Sequence, residues 1–363
     1  MSGLSVSTID NASISSLSRG DDQSVTMETD SAPLPGLMSY EARKIILVVN
    51  LAVVGQIVGV VGIAGNVINI AVFTRQGFSD SVNINFLALA VGDLCSLITL
   101  QWFNICVNPW FQKLDLPFSP LEIQSLTAGY PHNCFVRITG WITAFVAFER
   151  CLCVVVPLKV KSIITVRVAV FFNVSVFGLS FLSMLPVYTT AYYDWKFYPQ
   201  YNRSLVGILY TSNKNSVLGI SLFISDFFGP LTAFAIVIVC TGIISIQLRK
   251  KAKWRNDISG KAIVSGEIPG KEKRVIVMVT TISVIFITCF TPMTLLMTAR
   301  AMVPGLSIIG RYANLNWSVV SIGFLLETVN SSVNVLVYYT MSSKYKETVN
   351  SMLSCCRTGR GLE

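Results

Sequence analysis

Charged residues are scarce in this chain. Only 13% of its 363 residues are Asp, Glu, Lys or Arg, about half of the roughly 25% that is typical of a soluble domain. More than half of the residues, 52%, are hydrophobic, so the composition excludes an ordinary water-soluble globule. The net charge of +9 on so apolar a chain argues against a nucleic-acid partner and for a charge bias that orients a membrane protein.

Histidine is almost absent, and cysteine is scattered. His132 is the single histidine, and the nine cysteines include no Cys-x-x-Cys pair. A structural zinc site or a thioredoxin-type redox centre therefore has no support. Since no His, Asp and Ser set or metal-ligand set is present, the chain is not expected to be an enzyme. The amino-terminal residues also lack a basic start followed by an apolar run, so no cleavable signal peptide is expected.

Long apolar runs dominate the rest of the sequence. A helix needs roughly 20 apolar residues to cross a bilayer core about 30 Å thick, and seven stretches satisfy that length. They lie near Ile45–Phe73, Ile84–Val107, Leu121–Val156, Val168–Tyr193, Val217–Leu248, Val275–Thr298 and Leu315–Tyr339. The sequence thus predicts an all-α membrane protein, with a seven-transmembrane helix bundle over residues 43–340.

The segments that flank the bundle differ from it in composition. Residues 1–42 are rich in Ser, Thr and Asp, so they are expected to form a disordered extracellular tail. Residues 341–363 are predicted to form a short amphipathic helix and a cytoplasmic tail, because Tyr345, Val349, Met352 and Leu353 share one helical face. A long outer loop is expected at Asp194–Asn215.

The distribution of Lys and Arg predicts the orientation of the bundle. With the amino terminus outside, seventeen of them fall in the inner loops and carboxyl-terminal tail and nine in the outer segments. Cytoplasmic loops carry the excess, so we expect a multi-pass plasma-membrane protein with its carboxyl terminus in the cytoplasm. The sequons at Asn11 and Asn202 then lie outside as candidate glycosylation sites.

Ionisable residues inside a span cost a few kcal/mol and are therefore functional candidates by default. The candidate ligand pocket in the outer half consists of Gln101, His132, Arg137, Asp226, Arg300 and Glu327. Arg137 with Asp226 or Glu327 is either a buried structural pair or a grip on a ligand that bears both charges, such as a short peptide or an amino-acid-like cue. His132 is either a packing histidine or a pH sensor.

Motifs along the spans resemble those of class A, or rhodopsin-like, G-protein-coupled receptors. In chain order they are Gly65-Asn66-Val67, Leu89-Ala90 with Asp93, Glu149-Arg150-Cys151, Pro230, Cys289-Phe290-Thr291-Pro292, Asn330-Ser331 and Asn334-Val335-Leu336-Val337-Tyr338. Each motif is weak alone, but their order and spacing across the bundle are a strong signal. The stretch from Phe148 to Lys161 more narrowly resembles molluscan receptors of chemosensory or neuropeptide type.

The resemblance implies a receptor that transmits an extracellular neuropeptide or chemosensory signal to a cytoplasmic heterotrimeric G protein. It implies an activation switch formed by Glu149, Arg150, Glu272, Phe290, Pro292, Asn334 and Tyr338. It also implies an allosteric sodium ion, and no other cofactor, among the oxygen-bearing side chains of Asn66, Asp93, Thr139, Asn330, Ser331 and Asn334. A hydrogen-bonded polar network without an ion is the alternative. Cys355 and Cys356 are palmitoylation candidates at the lipid surface.

The chain departs from the family pattern at several positions. Phe290 stands where the family usually has Trp, and Val335 stands where it has Pro, which puts the usual kink of span seven in doubt. Residues 186–220 contain no cysteine, so the family's disulfide between the top of span three and this outer loop is not expected. Thr328 replaces the retinal lysine of opsins, which excludes a light sensor. The remaining alternative is a transporter or channel that uses the intramembrane charges.

Overall fold

The computed structural model describes residues 37–157, 159–258, 270–306 and 310–358. Within these ranges, seven helices are long and apolar enough to cross a membrane. Their spans are Tyr40–Gln76 (α1), Ser81–Val107 (α2), Pro120–Val155 (α3), Val166–Thr190 (α4), Val217–Lys250 (α5), Arg274–Met302 (α6) and Ala313–Met341 (α7). The helices of α5 and α6 extend beyond their spans, to Ile258 and from Gly270. The predicted seven-helix bundle is confirmed.

The spans differ in how much of their surface the protein itself covers. Of the seven, α3 is the most buried and α4 the least, so α3 is the central helix of the bundle. Large apolar side chains such as Val60, Phe171 and Leu295 are exposed on the circumference of the bundle, where the lipid chains of a bilayer would cover them. Polar side chains point the other way, toward the contacts between helices, and this places the candidate site residues in the interior.

Three spans contain a π-helical turn in the half that is expected to face outward, which we call the outer half. These turns are Val48–Val54 in α1, Ser125–Gly129 in α3 and Phe223–Phe228 in α5. They separate α-helical segments at Tyr40–Leu47 and Gly55–Gln76, Pro120–Gln124 and Tyr130–Val155, and Lys214–Leu222 and Gly229–Ile258. A π-helical turn changes the direction of the side chains around it and often lies at a functional site.

The segment after α4 forms a β-hairpin, not the loop expected from the sequence. Strand β1 (Ala191–Tyr198) pairs antiparallel with β2 (Arg203–Tyr210), so that Ala191 lies opposite Tyr210. Asn202 closes the turn with φ 49°, a left-handed conformation that Asn tolerates better than most residues. The expected end of span four at Tyr193 is wrong, because the helix stops at Thr190. Hydropathy cannot separate a helix end from a strand of aromatic residues.

The hairpin is fastened to the outer end of α3. Val206 donates its N–H to the carbonyl of Pro117 at 2.9 Å and accepts from the N–H of Ser119 at 3.0 Å. The buried carboxylate of Glu122 accepts from the N–H of Ile208 at 2.7 Å and from Nζ of Lys196 at 3.4 Å. We call these contacts the hairpin tether. Among the cysteines that the structure describes, Cys106 on α2 and Cys134 on α3 are free thiols.

The end of the bundle that is expected to face the cytoplasm has an aromatic core that anchors the last helix. α8 (Ser343–Thr358) follows α7 and confirms the predicted helix after span seven. Its Tyr345 is 1% exposed and packs against Phe73 and Tyr338, with ring centroids 5.6 Å away in both cases. Leu353 does not share this buried face, since it is 64% exposed.

Candidate functional site

A cavity of about 60 Å³ lies between the outer halves of α3, α5 and α6. Most of its lining is apolar, but Arg137 from α3 and Asp226 from the π-helical turn of α5 also line it. The Arg137 guanidinium is ion-paired with Oδ1 of Asp226 and donates a further hydrogen bond to Oγ of Ser183 at 3.0 Å. The volume holds roughly four to six water molecules, so this α3/α5/α6 cavity has room for one side-chain-sized group.

One wall of this cavity lies next to the proline in the middle of α6. Phe290 lines the cavity and stacks on Phe286 with ring centroids 4.4 Å apart. Two residues later, Pro292 lies inside the helix, where it cannot donate the backbone hydrogen bond that an α-helix requires. A change in the contents of the cavity therefore acts next to the residue at which α6 bends most easily.

The other four predicted pocket residues lie apart from this cavity. His132 Nε2 is 3.0 Å from Oε2 of Glu327, and His132 Nδ1 is 3.2 Å from Oγ of Ser96. Glu327 is thus the partner of His132 and not of Arg137. Gln101 donates to the carbonyl of Gly55 at 3.0 Å, and Arg300 donates from Nε to Oδ1 of Asn316 at 2.7 Å. Of the six, Arg137 and Asp226 are the ones that the structure brings together on a cavity wall.

Asp93 lies at the centre of a polar network between α1, α2 and α7. Its side chain is fully buried, and its carboxylate accepts from Oγ of Ser331 at 2.9 Å and from Nδ2 of Asn334 at 2.8 Å. Asn66 donates to the backbone carbonyl of Ser331 at 2.7 Å. Among the side chains described, no Lys, Arg or His is ion-paired with Asp93. A buried carboxylate without a cationic partner calls for a bound cation or a proton.

The two remaining members of the predicted ion site, Thr139 and Asn330, are not among the described hydrogen-bond partners of Asp93. Thr139 is buried on α3 and donates to the carbonyl of Val136 at 3.0 Å. Its methyl group packs on Gly92, where a Cβ would stand 2.8 Å away. Asn330 is buried on α7. Thr139 therefore adjoins the helix that carries Asp93, and Asn330 directly precedes Ser331, a hydrogen-bond partner of Asp93.

The network continues from Asn66 to α8, and the sequence did not predict this connection. Asn69 donates to Oδ1 of Asn66 at 3.1 Å and accepts from the Tyr345 hydroxyl at 2.6 Å. Burial raises the pKa of Tyr345 to about 12, so its phenol is the protonated donor at neutral pH. We call this series of hydrogen bonds, from Tyr345 through Asn69, Asn66 and Ser331 to Asp93, the α8 chain. The available signal was Asn69 itself, which follows Asn66 by one helical turn.

At the inner end of α3, Glu149 holds Arg150. Nη2 of Arg150 donates to Oε1 of Glu149 at 2.6 Å. The same carboxylate accepts from Oγ of Ser81 at 2.7 Å and from Nδ2 of Asn85 at 3.0 Å, both on α2. Three donors on two helices thus converge on one buried acid, and Arg150 is drawn toward α2.

The remaining predicted residues lie near the ends of the spans or outside the bundle. Glu272 lies on α6, and Cys355 and Cys356 lie on α8, but their side chains are outside the part of the chain that the structure describes, as is Asn11. Asn202 is exposed on the hairpin turn. Tyr338 is 1% exposed and packs its ring edge on Phe73 at 5.1 Å.

The comparison with known proteins agrees with this architecture. Residues 53–356 match the family described as serpentine type 7TM GPCR chemoreceptor Srw, which is most of the chain. The chain therefore belongs to this family of G-protein-coupled receptors, and it is a multi-pass membrane receptor and not an enzyme. The alternative of a transporter or channel is not favoured. The molluscan subgroup stays a prediction.

Individual receptors align with most of the chain at low identity. The allatostatin-A receptor of Bombyx mori is 22% identical over 309 residues, 82% of this chain and 78% of that receptor. The somatostatin receptor type 2 of Sus scrofa is 25% identical over 304 residues, 82% and 75% of the two chains. The type-1 angiotensin II receptor of Gallus gallus is 26% identical over 240 residues, 64% of this chain. The last alignment spans 63% of that receptor's length.

Proposed function

We propose that this receptor binds a ligand that carries both an acidic and a basic group, and that it then activates a heterotrimeric G protein. The observation that carries the proposal is the buried Arg137–Asp226 pair on the wall of the α3/α5/α6 cavity. The small volume of that cavity favours one end of a peptide over a large rigid ligand. Relatives named as receptors for allatostatin A, somatostatin and angiotensin II support a neuropeptide-type ligand, whereas the family description names chemoreceptors, so amino-acid-like cues belong in the same assay.

Exchange of charge partners is the proposed trigger. The ligand carboxylate replaces Asp226 on Arg137, and the ligand ammonium replaces Arg137 on Asp226, so neither buried charge is left unpaired. Turning a receptor from 1% to 99% active requires about 5.5 kcal/mol of differential binding. The exchange forms two hydrogen bonds to charged groups and breaks the one between Arg137 and Asp226, at about 1.5–3 kcal/mol each. Its net gain is therefore about 1.5–3 kcal/mol, and the other contacts of the ligand supply the remainder. The separation of α3 from α5 next to Phe290 then bends α6 at Pro292.

Release of Arg150 is the proposed output. Movement of the inner half of α6 disturbs the packing around Asn334 and Tyr338 and frees Arg150 from Glu149 for the G protein. Arg150→Ala should abolish ligand-evoked G-protein dissociation while ligand binding is retained. Fully intact signalling by this variant would contradict the mechanism.

The ligand assay is a screen of peptides, amino acids and odorant-like cues against cells that express the full chain, with second messengers and G-protein dissociation as the readout. For an active ligand, Arg137→Gln and Asp226→Asn should each reduce potency by about tenfold or more. Lys113→Gln, which removes an exposed outer charge, is the matched control and should not change potency.

A reversed pair separates a ligand grip from a structural ion pair. In Arg137→Asp/Asp226→Arg the two charges still pair, but each faces the wrong group of the ligand. We expect surface expression near the level of the unmodified receptor, with the response to the ligand lost. If the reversed pair signals at unchanged potency, the ion pair is structural only and the proposed ligand grip is wrong.

We further propose that the charge of Asp93 is balanced by a sodium ion in the resting state. Hard cations prefer oxygen ligands, and the buried carboxylate, the Ser331 hydroxyl and the amides of Asn66 and Asn334 supply a suitable donor set. When bound, the ion would hold α2 and α7 together through these side chains. The residue set supports this proposal because no described cationic side chain compensates the acid.

The proposed topology places the amino terminus and the hairpin outside the cell. Asn202 is then an accessible sequon in the exposed turn, and Asn11 is a second candidate outside the described residues. α8 lies along the inner membrane surface, where Cys355 and Cys356 would be palmitoylated. Peptide N-glycosidase treatment and hydroxylamine-sensitive palmitate labelling test these two modifications.

A further inference from the structure

A second cavity, of about 340 Å³, lies between the outer halves of α1 and α2. α7 contributes Trp317 to its wall, and the outer end of α3 contributes Gln124. Its volume falls within the range of roughly 300–1,000 Å³ that small-molecule sites occupy. Neither Arg137 nor Asp226 lines this α1/α2 cavity, so the proposed ligand grip does not explain it.

The charge at the outer end of the α1/α2 cavity is positive. Arg43 and Lys44 line it near the start of α1, and none of its lining residues is acidic. No acidic side chain in the described ranges forms an ion pair with either cation. The Arg43 guanidinium lies over the Tyr40 ring, 4.7 Å from its centroid. Two neighbouring cations with no ion-pair partner among the described residues favour an anionic group at this end.

The deeper part of the α1/α2 cavity is apolar. Leu47, Leu51 and Phe103 form its wall, and Leu51 lies seven residues below Lys44, or about 10 Å along the helix at 1.5 Å per residue. The π-helical turn Val48–Val54 supplies part of the same wall. A ligand that fits both ends therefore has an anionic head and an apolar body.

Two amide side chains in the wall have polar atoms without a hydrogen-bond partner among the described residues. Asn104 is 1% exposed, and neither its amide nitrogen nor its oxygen has a hydrogen-bond partner in the described structure. Gln124 is 4% exposed, and its Oε1 is also unpaired. Buried amides are almost always hydrogen-bonded in native proteins, so these two groups point to an occupant with polar atoms of its own.

We propose that the α1/α2 cavity binds an amphiphile with one anionic headgroup. The head lies between Arg43 and Lys44, the apolar body packs on Leu47, Leu51 and Phe103, and oxygen atoms of the occupant satisfy Asn104 and Gln124. A free long-chain carboxylate and an anionic phospholipid share this chemistry. The site is separate from the α3/α5/α6 cavity and does not depend on the proposed signalling ligand.

Trp317 reports directly on occupancy of this cavity. The full-length receptor is placed in phosphatidylcholine nanodiscs and titrated with doxyl-labelled stearate, whose nitroxide quenches nearby tryptophan fluorescence. The Trp317→Phe variant identifies the part of the signal that comes from this residue. We expect saturable quenching of Trp317, and at least about tenfold weaker quenching by the methyl ester, which lacks the charge.

Paired variants test the charge and the volume separately. Arg43→Gln/Lys44→Gln should weaken the apparent affinity at least about tenfold, whereas Lys113→Gln/Arg311→Gln removes two exposed outer charges that do not line the cavity and should leave the apparent affinity unchanged. Ala52→Phe fills the cavity, keeps both cations and should abolish the quenching. Equal quenching by the acid and its ester, or equal losses in the two double variants, would overturn the proposal.

A final arm identifies the source of the amphiphile. The titration is repeated in nanodiscs that contain phosphatidylglycerol. Competition by this lipid assigns the site to an anionic phospholipid headgroup, and unchanged quenching assigns it to a free carboxylate. Since the readout is fluorescence and not signalling, its failure would leave the proposed receptor mechanism intact.

Discussion

Removal of one hydroxyl group, in Tyr345→Phe, tests whether the α8 chain stabilises the receptor. Tyr345 and Asn69 are each 1% exposed, so no water can replace the lost donor. The variant leaves Oδ1 of Asn69 buried without a partner, which costs about 1–3 kcal/mol in the free energy of unfolding. The ring remains in the aromatic core, so the packing contribution is unchanged.

Tyr338→Phe is the matched control. Tyr338 is equally buried and lies in the same aromatic core, but its hydroxyl has no hydrogen-bond partner among the described residues. Deleting an unpaired buried hydroxyl removes a polar group that gains nothing from burial, so this variant should be neutral or slightly stabilising. The two Tyr→Phe changes are chemically identical and differ only in whether a hydrogen bond is lost.

The assay is equilibrium unfolding of the purified full-length receptor in mixed micelles with increasing dodecyl sulfate. A double-mutant cycle with Asn69→Ala isolates the pair. Side-chain hydrogen bonds in membrane proteins have coupling energies of about 0.6 kcal/mol on average and up to about 1.7, so a value in this interval is expected. A coupling energy of zero, or equal losses in Tyr345→Phe and Tyr338→Phe, would refute the reasoning.

Three further predictions follow from the same contacts. The pKa of Tyr345 is raised to about 12 from about 10, so the stabilisation by the protonated Tyr345 phenol is complete below pH 10 and is lost as the pH rises toward 12. The unfolding midpoint should therefore fall more between pH 9 and 11 in the unmodified receptor than in Tyr345→Phe. Replacing sodium with choline should raise agonist affinity about fivefold or more, and Asp93→Asn should remove this dependence; equal sodium sensitivity in both would count against an ion at Asp93. Glu122→Ala should weaken the hairpin tether by about 1.5–3 kcal/mol and speed amide exchange in β2, with a smaller effect for Glu122→Gln; unchanged exchange would show that Glu122 does not hold the hairpin.

The sequence predicted those features that follow from local composition. Seven apolar runs identify seven spans because the bilayer sets a minimum length, and the ionisable residues within them stand out because each is costly there. Sequence could not say whether Arg137 pairs with Asp226 or Glu327. That choice depends on which helices are neighbours and on the π-helical turn that carries Asp226.

Two failures have a common cause. The sequence places Ala191–Tyr193 in span four and Asp194–Asn215 in a loop, because hydropathy does not report backbone geometry. Tyr345 was interpreted as part of an apolar face, although its hydroxyl is the donor that connects α8 to Asn69. In both cases the deciding interaction is hydrogen bonding between two segments, of β1 with β2 and of Tyr345 with Asn69, and hydropathy does not show such pairs.

The hairpin tether also has a consequence for biosynthesis. A disulfide between the outer loop and the third span must wait for an oxidant, and its formation takes seconds to hours, whereas the backbone hydrogen bonds of Val206 and the Glu122–Lys196 pair form as soon as the strands dock. The seven cysteines that the structure describes are all free. The surface that carries the hairpin should therefore mature to the same structure in a reducing cell-free translation mixture with lipid as in the oxidising lumen of the endoplasmic reticulum.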